Sequence, residues 1–235
     1  MKIFIGWDSR EDIAYQVAKF SIEERTSDDI EIIPLKQHEL RQKDIYTRDI
    51  DMLGSTEFTF TRFLVPYLSD YKGWSLFIDC DFLCFSDIGE LFKLANDDYA
   101  VMCVKHDYIP TDTLKMDNCI QHLYPRKNWS SCILFNNSHP SNSILTPELV
   151  NTETGKFLHR FQWLQDSEIG SLPHTWNWLE DWYHEPEDGK PNFVHYTRGN
   201  VYFKNYQNVD YADEWKNEFK RMSGRPWTNN DILDK

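Results

Sequence analysis

The sequence predicts an α/β domain. Three observations carry that expectation: a strand–helix–strand opening, a series of further short apolar runs set apart by helical or polar segments, and enough apolar residues for a sizeable core. The opening reads KIFIGW, a short strand, then DSREDIAYQVAKFSIEER, in which Ile13, Val17, Phe20 and Ile22 recur at helical spacing. IEIIPL follows as a second strand, closed by Pro34. Residues 36–56 are polar and read as a loop, and EFTFTRFLVPYLSDY is expected to be helical, with Pro66 inside it or near its start. WSLFID is the next strand. DIGELFKLA is the next helix, with Asp87 as N-cap and Glu90 three residues later forming a capping box. YAVMCV and SCILF are two further buried strands, and the charged stretch 105–128 between them reads as a substrate-facing excursion. NFVHYT is a late short strand and YADEWKNEFKRM a charged terminal helix.

The composition limits what such a domain can do. At 235 residues the chain suits one domain spanning 1–235, and a 40% hydrophobic, 15% aromatic composition can fill its core. A formal net charge of −13 argues against nucleic acid as a partner and against anionic lipid, because both need a basic surface. No apolar run approaches the roughly 20 residues that a membrane helix requires, and MKIFIGWDSRED turns acidic too early for a secretory signal. Cys80, Cys84, Cys103, Cys119 and Cys132 form an odd set without a CxxC pair. Three of them lie in apolar runs, as reduced cytoplasmic thiols do.

The chemistry concentrates in WSLFIDCDF, where Asp79 and Asp81 follow an apolar strand directly. Residues two apart in an extended segment point to the same side, and ligands of open α/β sheets bind outside the carboxyl ends of strands. Two carboxylates converging there repel each other unless a cation sits between them. Mg²⁺ or Mn²⁺ would neutralise the pair and keep positions free for phosphate oxygens. The plainer reading is a strand-end turn in which Asp81 or Asp87 merely caps a helix.

TRFLVPYLSDYKGWSLFIDCDFLCFSDIGELF resembles the core of nucleotide-sugar glycosyltransferases of the GT-A fold, in particular family eight (the glycogenin and bacterial galactosyltransferase type) and uncharacterised bacterial and phage members of that clan. The resemblance runs from FIGWD to HYTRGN. It implies a Rossmann-like single domain with a central mixed, mostly parallel sheet flanked by helices. Residues 1–135 would form a nucleotide-sugar-binding half, 136–210 an acceptor half with a late metal ligand, and 211–235 a C-terminal helix and tail. It implies retaining transfer from a UDP-sugar to a carbohydrate, lipid or protein acceptor.

Residue by residue, the resemblance makes Asp79, Asp81 and the late His195 in NFVHYTRGN the metal ligands, and Arg62 the upstream cation that reaches the donor. An imidazole beside two carboxylates suits Mn²⁺ better than Mg²⁺. Gly6, Trp7 and Asp8 would receive base and ribose, and the backbone at Cys80 would face the nucleotide. Ser130 and Ser131 match a stretch lining the donor or acceptor site. Asp166 matches a donor-facing acidic residue whose catalytic role would be to hydrogen-bond sugar hydroxyls or shield positive charge at the anomeric carbon, with Ser167 where the family has Gln, and Asn177 matches a recurrent Asn. Thr197, Arg198, Gly199 and Lys204 fall in the turn near the diphosphate, where the family's second glycine is missing. Asp166 has a plainer reading as a helix N-cap, Asn177 as a buried amide, and Trp163, Trp176, Trp178 and Trp182 as packing rather than sugar-stacking residues.

Three other readings compete. A haloacid-dehalogenase-type phosphatase also uses an Asp-x-Asp pair, but on its first strand; here about 70 residues of strand and helix precede the motif. A nucleotidyltransferase would carry a glycine-rich basic loop where this chain has GWDSRED. A catalytically silent sugar-binding module would keep the aromatics and leave the carboxylates without a task.

Overall fold

The computed structural model describes residues 1–49, 56–107, 125–184 and 189–233. Strands β1 (Lys2–Gly6), β2 (Glu31–Leu35), β3 (Trp74–Ile78), β5 (Val101–Cys103), β6 (Cys132–Asn136) and β7 (Ile169–Ser171) build a six-stranded sheet in the order β2-β1-β3-β6-β5-β7. β1 is parallel to β2 and to β3, and β5 to β7, while β6 runs antiparallel to both β3 and β5. Four of the five residues in β1 and in β3, and all of β5 and β6, are buried. Such two-sided burial explains why these strands read as continuous apolar runs rather than alternating ones. The buried apolar side chains form one continuous cluster from Ile3 to Phe219.

A second, three-stranded sheet decides where the site lies. It consists of β4 (Phe82–Cys84), β9 (Phe193–His195) and β8 (Trp178–Leu179), with β9 in the middle. β4 and β9 are antiparallel with Phe82 opposite His195, and the Tyr196 N–H donates to the Asp81 carbonyl at 3.1 Å. That register carries a residue from late in the chain to the Asp79–Asp81 turn.

Helices flank the sheets: α1 (Asp12–Glu23), α2 (Gln37–Gln42), α3 (Val65–Leu68), α4 (Ile88–Phe92), α5 (Pro147–Thr152), α6 (Gly155–His159) and α7 (Ala212–Ser223). α2 lies inside the stretch expected to be a loop. The helix expected over 57–71 is shorter: a 3-10 turn at Thr61–Leu64 leads into the single turn of α3, which has Pro66 in its first turn. A proline ring deeper in a helix would clash with the carbonyl four residues back and has no N–H to donate. Asp70 and Tyr71 adopt positive φ and end the element. Asp87 caps α4 as expected, accepting from the Gly89 N–H at 2.9 Å. Gly89 is the second helical residue rather than the third, and Glu90 accepts from Lys93 Nζ at 2.6 Å, so the expected capping box does not form. Cys80, Cys84, Cys103 and Cys132 are buried and free, while Cys119 lies outside the described residues.

At the end of β1, a Cβ built on Gly6 would sit 2.4 Å from Cδ2 of Phe58, whose ring is buried. The missing side chain is therefore filled by the segment that leads to Arg62. Gly6→Ala is expected to lower stability by about 1–3 kcal/mol through overpacking. Urea unfolding checks this, and an unchanged midpoint would show that the ring moves aside freely.

Candidate metal centre

Asp79 is the residue after β3, and Asp81 precedes β4, so the two carboxylates stand on the link between the two sheets. Asp79, Asp81 and His195 each offer a ligand atom, and these atoms lie within 4.8 Å of one another. The structure thus brings together the three residues read as metal ligands. His195 is 3% exposed, and its Nε2 lies 3.4 Å from Asp81 Oδ1. That oxygen is buried and has no hydrogen-bond partner. A buried anionic oxygen without a donor is costly, and a divalent cation with oxygen and imidazole ligands would satisfy it. The donor set fits Mn²⁺ or Mg²⁺.

Arg62 stands behind Asp79 and is 5% exposed. Its Nη1 donates to Asp79 Oδ1 at 2.7 Å and to the Ser130 carbonyl at 2.8 Å. Its Nε donates to the carbonyls of Thr59 at 3.2 Å and Phe58 at 3.4 Å. The guanidinium carbon lies 4.9 Å from the Phe77 ring centre and 5.3 Å from that of Phe58. In this arrangement Arg62 orients the Asp79 carboxylate and neutralises one of the two charges.

Behind His195, Nδ1 lies 2.9 Å from Asn177 Oδ1, and Asn177 Nδ2 donates to Ser131 Oγ at 2.9 Å. Ser130 Oγ meets His159 Nδ1 at 2.8 Å. Cys80 is buried, and that burial, with the carboxylates of Glu11, Asp81 and Asp79 adding to it, pushes its thiol well up. It therefore stays protonated.

The remaining expected residues follow the ends of β1 and β9. Asp8 is fully buried. Its Oδ1 accepts from the Arg10 N–H and Nε, both at 2.9 Å, and its Oδ2 from Arg10 Nη2 at 2.7 Å and the Glu57 N–H at 3.0 Å. Burial pushes this carboxyl up, but those hydrogen bonds outweigh it and hold the carboxyl below its usual range. Trp7 donates to Asp12 Oδ1 at 2.7 Å, and Lys36 Nζ stands 5.2 Å from its ring centre. Thr197 Oγ1 donates to Asp181 Oδ1 at 2.8 Å, and Arg198 Nε lies 3.9 Å from Asp181 Oδ2. Gly199 has φ +155°, in a region favouring glycine. Lys204 begins an exposed 3-10 turn, Lys204–Tyr206.

Asp166 is not a member of the Asp79–Asp81–His195 group. Its side chain is 92% exposed and pairs with Arg126 Nη2. The N-cap of its 3-10 turn is Gln165. Of the tryptophans, Trp176 and Trp178 are buried in the core, and Trp163 donates to Asn142 Oδ1 at 3.2 Å. Most of the stretch expected to contact an acceptor, residues 108–124, lies outside the described residues.

One residue near the centre had no signal in the sequence. His106 is 5% exposed; Nδ1 meets the Tyr183 hydroxyl at 2.9 Å, and Nε2 has no partner. Burial, with His195 and His174 nearby, pushes its imidazole down to about 3. Only pairing with Tyr183, 77 residues away, separates it from an ordinary loop histidine.

The comparisons with known proteins bear on this geometry. No protein-family model matches the chain. It is 54% identical over 225 residues to "Protein CDI" of Arabidopsis thaliana, an alignment covering 94% of this chain and 87% of that protein. The chain belongs to the Protein CDI family. Among solved structures, the bifunctional glycosyltransferase WbbM superposes with a TM-score of 0.67 at 16% identity, over 98% of this chain and 51% of that one. The glycosyltransferase GlyE of Streptococcus pneumoniae gives 0.61 at 15% identity, over 92% and 59%. The galactosyltransferase LgtC, solved with donor and acceptor sugar analogues, gives 0.62 at 11% identity, over 97% of both chains. This chain thus spans about half of WbbM and under two thirds of GlyE, but nearly all of LgtC. The fold of this Protein CDI relative is the GT-A glycosyltransferase type, a mixed α/β architecture.

Two measurements probe the site's electrostatics. Arg62→Met leaves Asp79 without its buried partner and is expected to cost on the order of 3 kcal/mol; chemical unfolding checks it, and a loss under about 1 kcal/mol would reduce the pair to a surface contact. The His106 shift has a definite sign. The unfolded chain takes up this proton below 6.5, whereas the folded chain takes it up only near 3, so stability falls as pH drops through that window. His106→Gln should flatten the difference between unfolding free energies measured near pH 5 and pH 7. An identical pH dependence for both proteins would contradict a buried neutral imidazole.

Proposed function

We propose that the chain is a metal-dependent glycosyltransferase that moves a sugar from a nucleotide-sugar donor, UDP being the favoured nucleotide, to an acceptor hydroxyl. The observation that carries the reading is the Asp79–Asp81–His195 group, with one orphaned carboxylate oxygen, at the junction of two sheets in a GT-A fold. Asp79, Asp81 and His195 would hold Mn²⁺ or Mg²⁺. Bound there, the ion supplies Lewis-acid stabilisation for the departing diphosphate. Arg62 fixes the direction of the Asp79 carboxylate. Arg198, Gly199 and Lys204, in the turn after His195, are assigned to the diphosphate, with Thr197 bracing the turn through Asp181. Trp7 and the Asp8-ordered loop after β1 are assigned to the base and ribose.

Asp166, paired with Arg126, is assigned to the donor sugar. Retention of configuration, as in family eight, is part of the same proposal. It proceeds by front-side displacement: the acceptor oxygen forms the new bond to the anomeric carbon as the bond to the diphosphate breaks, and the acceptor proton leaves with the phosphate. The cytoplasm is the proposed compartment, a reading supported by four buried free thiols.

The test is release of nucleoside diphosphate from a panel of nucleotide sugars, with and without Mn²⁺. Metal-dependent turnover is expected, and Asp81→Ala should reduce it on the order of 10²–10³-fold, the loss of several kcal/mol of charge stabilisation. Turnover indifferent to both metal and Asp81→Ala would overturn the proposal. Glycan binding without turnover would favour the silent module.

A further inference from the structure

We infer that Asn177 is a positioning residue for the metal centre: with Ser131 and the Asn128 carbonyl it forms a one-way hydrogen-bond relay that keeps the His195 proton on Nδ1 and turns the Nε2 lone pair toward Asp81. The consequence for metal binding rests on the reading above. The geometry of the relay does not.

The direction of the relay follows from its anchor. The Asn128 carbonyl can only accept, and Ser131 Oγ lies 2.7 Å from it, so the single serine proton is committed there. Asn128 has φ +63°, a conformation Asn tolerates better than most residues. Ser131 Oγ must then accept from Asn177, which places Nδ2 at that end, 2.9 Å away. The same Nδ2 lies 3.5 Å from the Asn128 carbonyl, which also calls for a donor. The amide orientation is thereby fixed, and Oδ1 faces His195 Nδ1 at 2.9 Å. An amide oxygen cannot donate, so Nδ1 carries the proton. In the neutral imidazole this leaves a lone pair on Nε2, directed at the unpartnered Asp81 Oδ1 3.4 Å away.

Asn177 and His195 are both essentially buried, which keeps water from offering either one an alternative partner. Two lone pairs facing one another are unfavourable without a cation between them, and a cation is what this tautomer is arranged to accept. The stacked Phe82 ring, 4.3 Å from the imidazole centre, restricts the remaining rotation.

Two readouts on the full chain test the relay separately from the function. In metal-free ¹⁵N-labelled protein, imidazole correlation spectra, assigned by difference from His195→Gln, are expected to show a protonated Nδ1 and an unprotonated Nε2. The opposite tautomer would overturn the inference. In the second, Mn²⁺ alone is titrated, with free ion followed by electron paramagnetic resonance. Asn177→Leu is expected to weaken binding about 10–100-fold, whereas Asn177→Asp, which still accepts from Nδ1, should restore it to within a few-fold of wild type. Ser131→Ala should give a mixture of tautomers and intermediate binding, and together with Asn177→Asp it carries the test if Asn177→Leu fails to fold. Wild-type affinity in Asn177→Leu or Ser131→Ala would refute the relay while leaving the metal centre standing. No Mn²⁺ binding by the wild type would refute the metal centre, and the spectra would still decide the tautomer.

Discussion

A buried guanidinium joins the end of β3 to the start of β6, and the site is assembled around that join. Arg62 gives its donors to the Asp79 carboxylate and to the carbonyls of Phe58, Thr59 and Ser130. Removing an arginine from water is costly unless its donors find acceptors and its charge a partner. Here both conditions are met, and two phenylalanine rings cover its faces. The Asp79 N–H donates to the Ser131 carbonyl at 2.9 Å, extending the antiparallel β3–β6 pairing by one step beyond the strand. Asp79 is thus held through both backbone and side chain. The following residues turn away from the main sheet, so Asp81 opens the second one, where β9 supplies His195.

This construction explains a division of labour among residues that a sequence places in one group. Gly6 and Asp8 both follow from the path of residues 57–62. Gly6 lets the Phe58 ring lie against β1, and Asp8 accepts from the Glu57 N–H while gathering in Arg10. Asn177 and Ser131 stand behind His195 in the same way that Arg62 stands behind Asp79. Asp79 and His195 therefore each have an outer partner that fixes a side chain's direction, as outer partners do for ligands in metal sites generally, while Asp81 Oδ1 has none.

Much of the fold was legible because β1, β3, β5 and β6 are buried on both faces and so appear as apolar runs. β4, β7 and β8 were not: at two or three residues each they are too short to show a period, and only pairing defines them. The helix expected over 57–71 is confined to a 3-10 turn and the single turn of α3, which starts beside Pro66 and is followed by positive φ at Asp70 and Tyr71, so local geometry outweighed apolar spacing. In the site, the Asp-x-Asp pair and His195 carried a signal through spacing and resemblance. Ser131 and Asn177 carried a signal only through resemblance and Asn128 none; that the three act together arises from contacts that bring Asn177 onto residues 46–49 positions earlier. His106 was silent for the same reason.

An amide behind His195, rather than a carboxylate, has its own electrostatic logic. A carboxylate there would raise the basicity of the imidazole. It would also add a third negative charge to a centre whose two carboxylates have Arg62 on one side, within a chain of net charge −13. The diphosphate of the proposed donor would bring further negative charge, and in a partly desolvated site every additional anion raises the energy needed to seat it. Asn177 accepts a hydrogen bond from Nδ1 without contributing charge, and its own orientation ends at a backbone carbonyl that does not titrate. The tautomer is therefore set by geometry alone, and on the proposed function the charge of a bound ion would be left for the carboxylates and the diphosphate to share.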